Sequence, residues 1–254
     1  MTDSFFNAQR IQSLKEDAIS NRFEILMRML DENEQLVPPE KFMSAAERYQ
    51  LMTVLNRWVI KKTLAELGGL DNVLGVNLAS FSINVSAQSL ADDDFIDFVA
   101  QGVADYGVSP DALCFEITET AMVRSLDQTQ RFIRKLRCRL ALDDFGTGHC
   151  SFAYLKDLPV QYIKIDSVFI RDILENPLSD AIVAAMTKIA TVMHAATVAE
   201  HVENDGVLQR LRDHEVDFVQ GFAIDRPKPL AEVLEELEPA LLLDTPINVV
   251  IKVS

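Results

Sequence analysis

A chain of 254 residues that is 48% hydrophobic and 25% charged has the apolar content for one large globular core. Its formal net charge of −15 argues against general binding to polymeric nucleic acid or to anionic lipid, because both need basic patches. No apolar run reaches the length of a membrane span and no signal peptide opens the chain, so the cytoplasm is the expected location. The cysteines Cys114, Cys138 and Cys150 show no metal-ligand spacing, and the first two sit in apolar runs where small buried hydrophobes are expected.

In chain order, strand-like and helix-like segments alternate. Phe5 to Leu14 is an extended segment, Lys15 to Asn21 a turn, and Arg22 to Leu30 a second apolar strand. The spacing is that of a hairpin, so the two are expected to pair antiparallel. Pro38-Pro39 opens a helix containing Phe42, Ala45, Ala46 and Met52, and Leu55 to Leu67 forms another. Ser80 to Val85 is a strand, and Asp92 to Tyr106 an amphipathic helix ended by Gly107 and Pro110. Leu113 to Ile117 is a strand, Asp127 to Leu136 a helix, Arg139 to Asp144 a strand, and Ser151 to Leu158 a short helix closed by Pro159. Tyr162 to Ile165, Thr197 to Val202 and Asp217 to Gln220 read as strands. Ser179 to His194, Asp205 to His214 and Leu230 to Leu241 read as helices. The tail from Asp244 to Ser254 is apolar and β-branched.

Eight strands separated by helices point to a (β/α)8 barrel in a single domain, with a core from about 5 to 241. An open doubly wound sheet is the runner-up, but no Gly-rich phosphate loop follows the first strand. Phe42, Met52 and Trp58 fit helix faces packed against the barrel. His194 and His214 fall near helix ends, where a histidine can cap carbonyls.

Nearly every strand carries a polar residue toward its C-terminal part: Glu24, Asn84, Glu116 with Glu119 beyond it, Asp143-Asp144, Lys164, Glu200 and Gln220. Polar groups in buried strands are costly unless paired, and the C-terminal ends of barrel strands are where active sites are built. Each position alone has an ordinary explanation. Asp143 could cap a turn beside a solvated Asp144, Glu116 could be solvated, Asn84 could close a turn, and Lys164 could pair with Asp166 or Asp144. Together they describe an oxygen-ligand metal centre, for which Mg²⁺ or Mn²⁺ suits the donor set, with no histidine or cysteine cluster to suggest zinc.

The motifs Phe23-Glu-Ile-Leu-Met-Arg28, Ile83-Asn-Val-Ser86, Phe115-Glu-Ile-Thr-Glu119, Leu142-Asp-Asp-Phe-Gly-Thr-Gly148, Ile163-Lys-Ile-Asp166, Val198-Ala-Glu-His-Val-Glu203 and Val219-Gln-Gly221 occur in that order. With them the chain resembles the EAL-domain cyclic di-GMP phosphodiesterase family from about Phe5 to Leu230. The resemblance implies a TIM-like barrel with an antiparallel first strand, agreeing with the hairpin reading. It also implies two Mg²⁺ or Mn²⁺ ions, one held by Glu24, Asn84, Glu116 and Asp143, the other by Asp143, Asp144 and Glu200. Lys164 would contact the attacking water or the phosphate. Glu200 stands where the family has been assigned a base. Arg28, Gln9 and Gln220 would contact substrate, and Glu119 would hold the Asp143-Asp144 loop. The implied reaction is hydrolysis of cyclic di-GMP to linear 5′-pGpG.

Three departures from the family pattern stand out. Glu24-Ile25-Leu26 replaces Glu-Ala-Leu but keeps the carboxylate. His201 replaces a glycine at the rim. The link through Arg137 and Cys138 is a few residues shorter than usual, on the face opposite the chemistry. The alternative to an enzyme is a degenerate domain that binds the nucleotide or a partner protein without cleavage. Such a domain is expected to lack several of the ligands, and this chain keeps all of them. The resemblance further implies a homodimer, with His149 and Cys150 at a hinge or dimer contact. It also implies excision from a longer protein with sensory or GGDEF-type domains upstream.

Overall fold

The computed structural model describes residues 4–15, 21–68, 79–147 and 159–243. The first two strands, β1 (Ser4–Ser13) and β2 (Arg22–Leu30), pair antiparallel from Ser4 opposite Met29 to Ile11 opposite Arg22. A short β3 (Leu36–Val37) folds back on the end of β2, and α1 (Pro39–Arg48) and α2 (Met52–Gly68) follow. The middle of the chain runs β4 (Ser80–Asn84), α3 (Ala87–Leu90), α4 (Phe95–Tyr106), β5 (Leu113–Thr118), α5 (Glu119–Arg124), α6 (Leu126–Leu136) and β6 (Arg139–Phe145). It continues through β7 (Tyr162–Ile165), α7 (Ser167–Ile170), α8 (Pro177–Val192), β8 (Ala196–Ala199) and α9 (Asp205–Asp213). The last elements are β9 (Phe218–Val219), β10 (Lys228–Pro229) and α10 (Leu230–Leu243).

Strands β2, β4, β5, β6, β7, β8 and β9 are parallel neighbours in that order. Strand β1 closes the ring between β9 and β2, antiparallel to both. The fold is therefore the expected eight-stranded barrel with a reversed first strand, and closure rules out the open sheet. Strands β3 and β10 extend the sheet at β2 and β1.

Alternation along the strands sorts the side chains into two sets. Phe23, Ile25, Phe81, Ile83, Phe115, Ile117, Leu140, Leu142, Ile163 and Ile165 belong to the main apolar cluster, which they share with helix residues such as Leu64, Phe95, Phe132 and Val183. The intervening residues, Arg22, Ser80, Ser82, Glu116, Ala141, Tyr162, Lys164, Val198 and Phe218, line a small internal cavity. At its floor the Arg22 guanidinium lies 4.6 Å from the Tyr162 ring centroid and 4.9 Å from that of Phe218, a cation–π packing that plugs the barrel.

Several elements start or stop differently from their sequence pattern. Gln50 takes a left-handed conformation (φ 57°) after α1, so the helix breaks and Met52 opens α2. Helix α1 buries none of its residues; half-buried Phe42 faces a cavity, and Trp58 is 37% exposed with its ring 5.2 Å from Phe6. Strand β8 ends at Ala199, before Val202. The single-turn helices α3, α5 and α7 carry no 3.6-residue signature and are fixed by Ser86, Thr118 and Asp166 as N-caps. The short link at Cys138 is accommodated by Arg137, which caps α6 in the left-handed region (φ 56°) usually filled by glycine.

The expected histidine caps are made by main-chain N–H groups, His214 N donating to Arg210 O at the end of α9, and not by the rings. His214 Nε2 pairs with Asp180 Oδ1 at 2.6 Å, and Arg210 binds the same carboxylate through Nε and Nη2. At His194 it is the main-chain N–H that bonds, to Thr191 O, in a left-handed turn. Cys114 and Cys138 are buried free thiols, both pushed up to about 12 by burial. The expected helix over 151–158, together with Gly148, His149, Cys150 and the tail from Asp244, lies outside the described residues.

Candidate metal centre

Parallel strands bring their C-terminal ends to one rim, and register decides which residues meet there. Glu24 lies opposite Gln9 on β1, Asn84 opposite Glu116, and Thr118 opposite Asp143. Lys164 rises from β7 and Glu200 follows the last residue of β8. Lys164 is 1% exposed. Its ammonium lies 2.5 Å from Glu116 Oε2, 2.7 Å from Glu200 Oε1, 3.2 Å from Asp143 Oδ1 and 3.5 Å from Glu24 Oε2. Asp143 Oδ1 is buried without an aligned hydrogen-bond donor despite this approach. Asp143, Asp144 and Glu200 each offer a carboxylate oxygen, and the three atoms lie within 4.8 Å of one another.

Three amides complete the inner wall. Asn84 Nδ2 donates to Glu24 Oε1 at 2.8 Å. Gln220 Nε2 donates to Glu24 Oε2 at 2.8 Å and to Gln9 Oε1 at 3.1 Å, and Gln9 Nε2 donates to Asp225 O. Glu119 stands outside the cluster, at the start of α5, and accepts the main-chain N–H of Gly146 at 2.9 Å. Gly146 has φ 97°, and a side chain there would collide with Met186 and crowd Phe169. Asp144, immediately before it, is itself left-handed (φ 52°). Arg28 does not join the cluster; it lines the adjoining cavity and donates to Met27 O.

One ammonium lies against four carboxylates, with Asp144 beside them, and the protonation tendencies record the imbalance. Burial pushes Glu116 well above the usual carboxylate range, with the neighbouring Glu24 and Asp143 charges adding and Lys164 opposing. Glu200 is pushed up to about 7 by burial, with Asp143 and Glu24 adding. Asp144 is pushed up to about 6 by burial and by the adjacent Asp143. Glu24 goes the other way: burial opposes ionisation, but the Lys164 charge and the Gln220 and Asn84 hydrogen bonds outweigh it. Burial likewise disfavours the Lys164 cation, yet Asp143, Glu116, Glu200 and Glu24 hold it well above its ordinary value. With every carboxylate ionised, the uncompensated charge is that of two divalent cations. Oxygen donors from carboxylates and an amide are the set that hard divalent ions take.

Above the cluster opens a cavity of about 820 Å³. Glu24, Asn84, Glu116, Glu200 and Gln220 face it from the barrel, and Arg28, Phe42, Arg124, His201 and Phe222 form its sides. His201 is left-handed (φ 53°) at this rim. Sequence reasoning missed Asn56 of α2, which is 5% exposed and borders the cavity. An asparagine within a helix carries no sign of burial in the sequence.

No helix of the described residues is long and apolar enough to cross a membrane. A family model described as EAL domain matches residues 5–227. The chain is 35% identical over 236 residues to "Cyclic di-GMP phosphodiesterase PdeB" of Shewanella oneidensis, covering 92% of this chain and 27% of that protein. It is 35% identical over 238 residues to "Cyclic di-GMP phosphodiesterase PdeF" of Escherichia coli, covering 92% and 31%. The chain thus spans less than a third of the length of either relative. Among solved structures, the "PaMucR Phosphodiesterase, c-di-GMP complex" superposes with a TM-score of 0.83 at 27% identity, covering 91% of this chain and 94% of that one. The FimX EAL domain of Pseudomonas aeruginosa bound to c-di-GMP gives 0.79 at 26%, covering 89% and 90%. Barrel, rim and family match coincide, and the chain belongs to the EAL domain family.

Proposed function

We propose that this domain is a metal-dependent phosphodiesterase that hydrolyses cyclic di-GMP to linear 5′-pGpG. The observation that carries the reading is the convergence of Glu24, Glu116, Asp143 and Glu200 on Lys164, with Asp144 beside them. Glu24, Asn84, Glu116 and Asp143 would hold one Mg²⁺ or Mn²⁺ ion, and Asp143, Asp144 and Glu200 a second. The donor set fits: it is all oxygen, it is short of positive charge, and Asp143 Oδ1 lacks an aligned donor. When bound, such ions supply Lewis-acid polarisation of a phosphoryl oxygen and acidify the attacking water.

The chain's own groups do the rest. Water attacks phosphorus in line, one P–O bond forms, and the bond to the 3′ oxygen breaks. Lys164, buried at the centre of the acids, offsets negative charge at the phosphate. Glu200 serves as a ligand, its carboxylate close to those of Asp143 and Asp144. Arg28 on the cavity wall offers a guanidinium to a substrate phosphate. Gln9 and Gln220 border the cavity as substrate contacts while steadying Glu24. Glu119 holds the loop after Asp144 through Gly146.

The receptor-only reading is disfavoured by the completeness of the ligand set. We further read the domain as cytoplasmic, as part of a longer signalling protein with sensory or GGDEF-type domains, and as a homodimer. The relatives' greater length supports the second point, and exposed Val168, Leu174 and Leu178 around α7 and α8 support the third. The test is conversion of cyclic di-GMP to 5′-pGpG with Mg²⁺ or Mn²⁺. Nucleotide binding without turnover sinks the enzyme reading, and full activity in Asp143→Ala sinks the bridging ligand.

A further inference from the structure

We propose that Asn56 is a positioning residue for the metal centre, a role that rests on the metal-dependent reading above. Asn56 belongs to α2, outside the barrel wall, yet both ends of its carboxamide bond the chain that leaves β4. Its Nδ2 donates to Asn84 O at 2.9 Å, and its Oδ1 accepts from Ser86 N at 3.0 Å and from Ser89 Oγ at 2.7 Å. One planar group thus takes the carbonyl of residue 84 and the N–H of residue 86. From the other side, Val85 N donates to Glu116 O at 2.8 Å. The backbone that carries Asn84 is clamped between a helix and the neighbouring strand.

That clamp sets where the Asn84 side chain points. Its Nδ2 is committed to Glu24 Oε1, which leaves Oδ1 as the amide's ligating atom. Asn56 therefore acts on two ligands at once, Asn84 directly and Glu24 through it. The clamp needs one donor and one acceptor in a plane. An aspartate would turn lone pairs toward Asn84 O, and an alanine would leave that carbonyl and Ser86 N without their partner. The parent helix is itself tied down, because Arg57 Nη2 bonds Asp92 Oδ2 at 2.9 Å.

The test is calorimetric titration of the metal-free domain with Mn²⁺, without substrate. Loss of a partner that orients a metal ligand costs roughly 10–100-fold in affinity, so Asn56→Ala is expected to bind Mn²⁺ at least about tenfold more weakly. At saturating Mn²⁺ its KM for cyclic di-GMP stays within about threefold of wild type, because Asn56 orients ligands and not the nucleotide. In an Asn84→Ala background, Asn56→Ala adds little further loss, since the two act along one path. A folded Asn56→Ala protein with unchanged Mn²⁺ affinity overturns the proposal, as do additive losses in the double variant. Should Asn56→Ala fail to fold, Asn56→Ser is uncharged and too short to hold both Asn84 O and Ser86 N; unchanged Mn²⁺ affinity there is equally fatal. Wild-type protein that binds no Mn²⁺ sinks the metal reading itself, which separates the two failures.

Discussion

Lys164 is the residue on which the electrostatics turn. It is a buried ammonium within 3.5 Å of four carboxylates, so it offsets part of their charge before any cation binds. Removing one partner of a buried ionic cluster typically costs about 3–5 kcal/mol, because the remaining charge is left uncompensated. Lys164→Met is therefore expected to destabilise the chelator-treated domain by about that amount, with the deficit shrinking when Mn²⁺ is added. Denaturant unfolding in chelator and in Mn²⁺ measures both; an equal deficit in the two conditions would refute the charge argument. Most of the site was legible at this scale, since Glu24, Glu116, Asp143 and Lys164 each break the apolar rule of a buried strand. Asn56 was not legible, because a helix tolerates asparagine on a solvated face and only tertiary packing reveals that this one is buried. Arg28 sat in a matching motif, yet its side chain stays outside the cluster on the cavity wall.

At the scale of elements, the informative places are where helices end and meet. Arg137 closes α6 with φ 56°, a conformation that costs a side-chain-bearing residue roughly 1 kcal/mol more than glycine. Arg137→Gly is expected to stabilise the domain by about 0.5–1 kcal/mol, less whatever glycine gives back as unfolded-chain entropy; a shift to lower Tm would contradict the assignment. Helices α8 and α9 are joined by Asp180, which accepts from Arg210 and His214. Those hydrogen bonds hold its carboxyl well below the usual range. A depressed acid stabilises the fold above its ordinary value of 3.8 and loses that contribution as pH falls through its lower folded value. Asp180→Asn is thus expected to lower Tm at pH 7, with the gap to wild type closing as pH drops below about 4. A gap that persists in acid would mean that packing, not charge, joins the helices. Neither joint was legible in the sequence. Asp180 and His214 are far apart along the chain, and the His214 main-chain N–H makes the expected carbonyl cap, which leaves its ring for a tertiary partner. The long strands and helices were legible, because burial on one or both faces writes a period into the sequence. The one-turn helices were not, since a single turn is set by its cap.

For the whole molecule, closure turns a list of polar strand ends into a site. Parallel order from β2 to β9 sends every C-terminal end to one rim, and the reversed β1 seals the ring while placing Gln9 opposite Glu24. This topology was legible because the first two strands have hairpin spacing and the remaining ones are separated by helices. The resulting rim concentrates five acids in a chain whose net charge is already −15. Divalent ions can therefore stabilise the protein in two ways: by filling the rim, or by screening its general negative charge. The two are separable. A ligand at about 100 times its Kd adds about 2.7 kcal/mol to stability, which for a domain of this size raises Tm by roughly 5–10 °C. Wild-type protein is expected to show that rise on adding Mn²⁺ and to lose it in chelator. Asp143→Ala removes one of 39 acidic residues, so it leaves general screening essentially intact while removing the proposed shared ligand. If the rim is the metal centre, the Mn²⁺-dependent rise in Tm collapses in Asp143→Ala. If the rise survives at wild-type size, the cations act on the surface as a whole, and the acids around Lys164 have some other purpose.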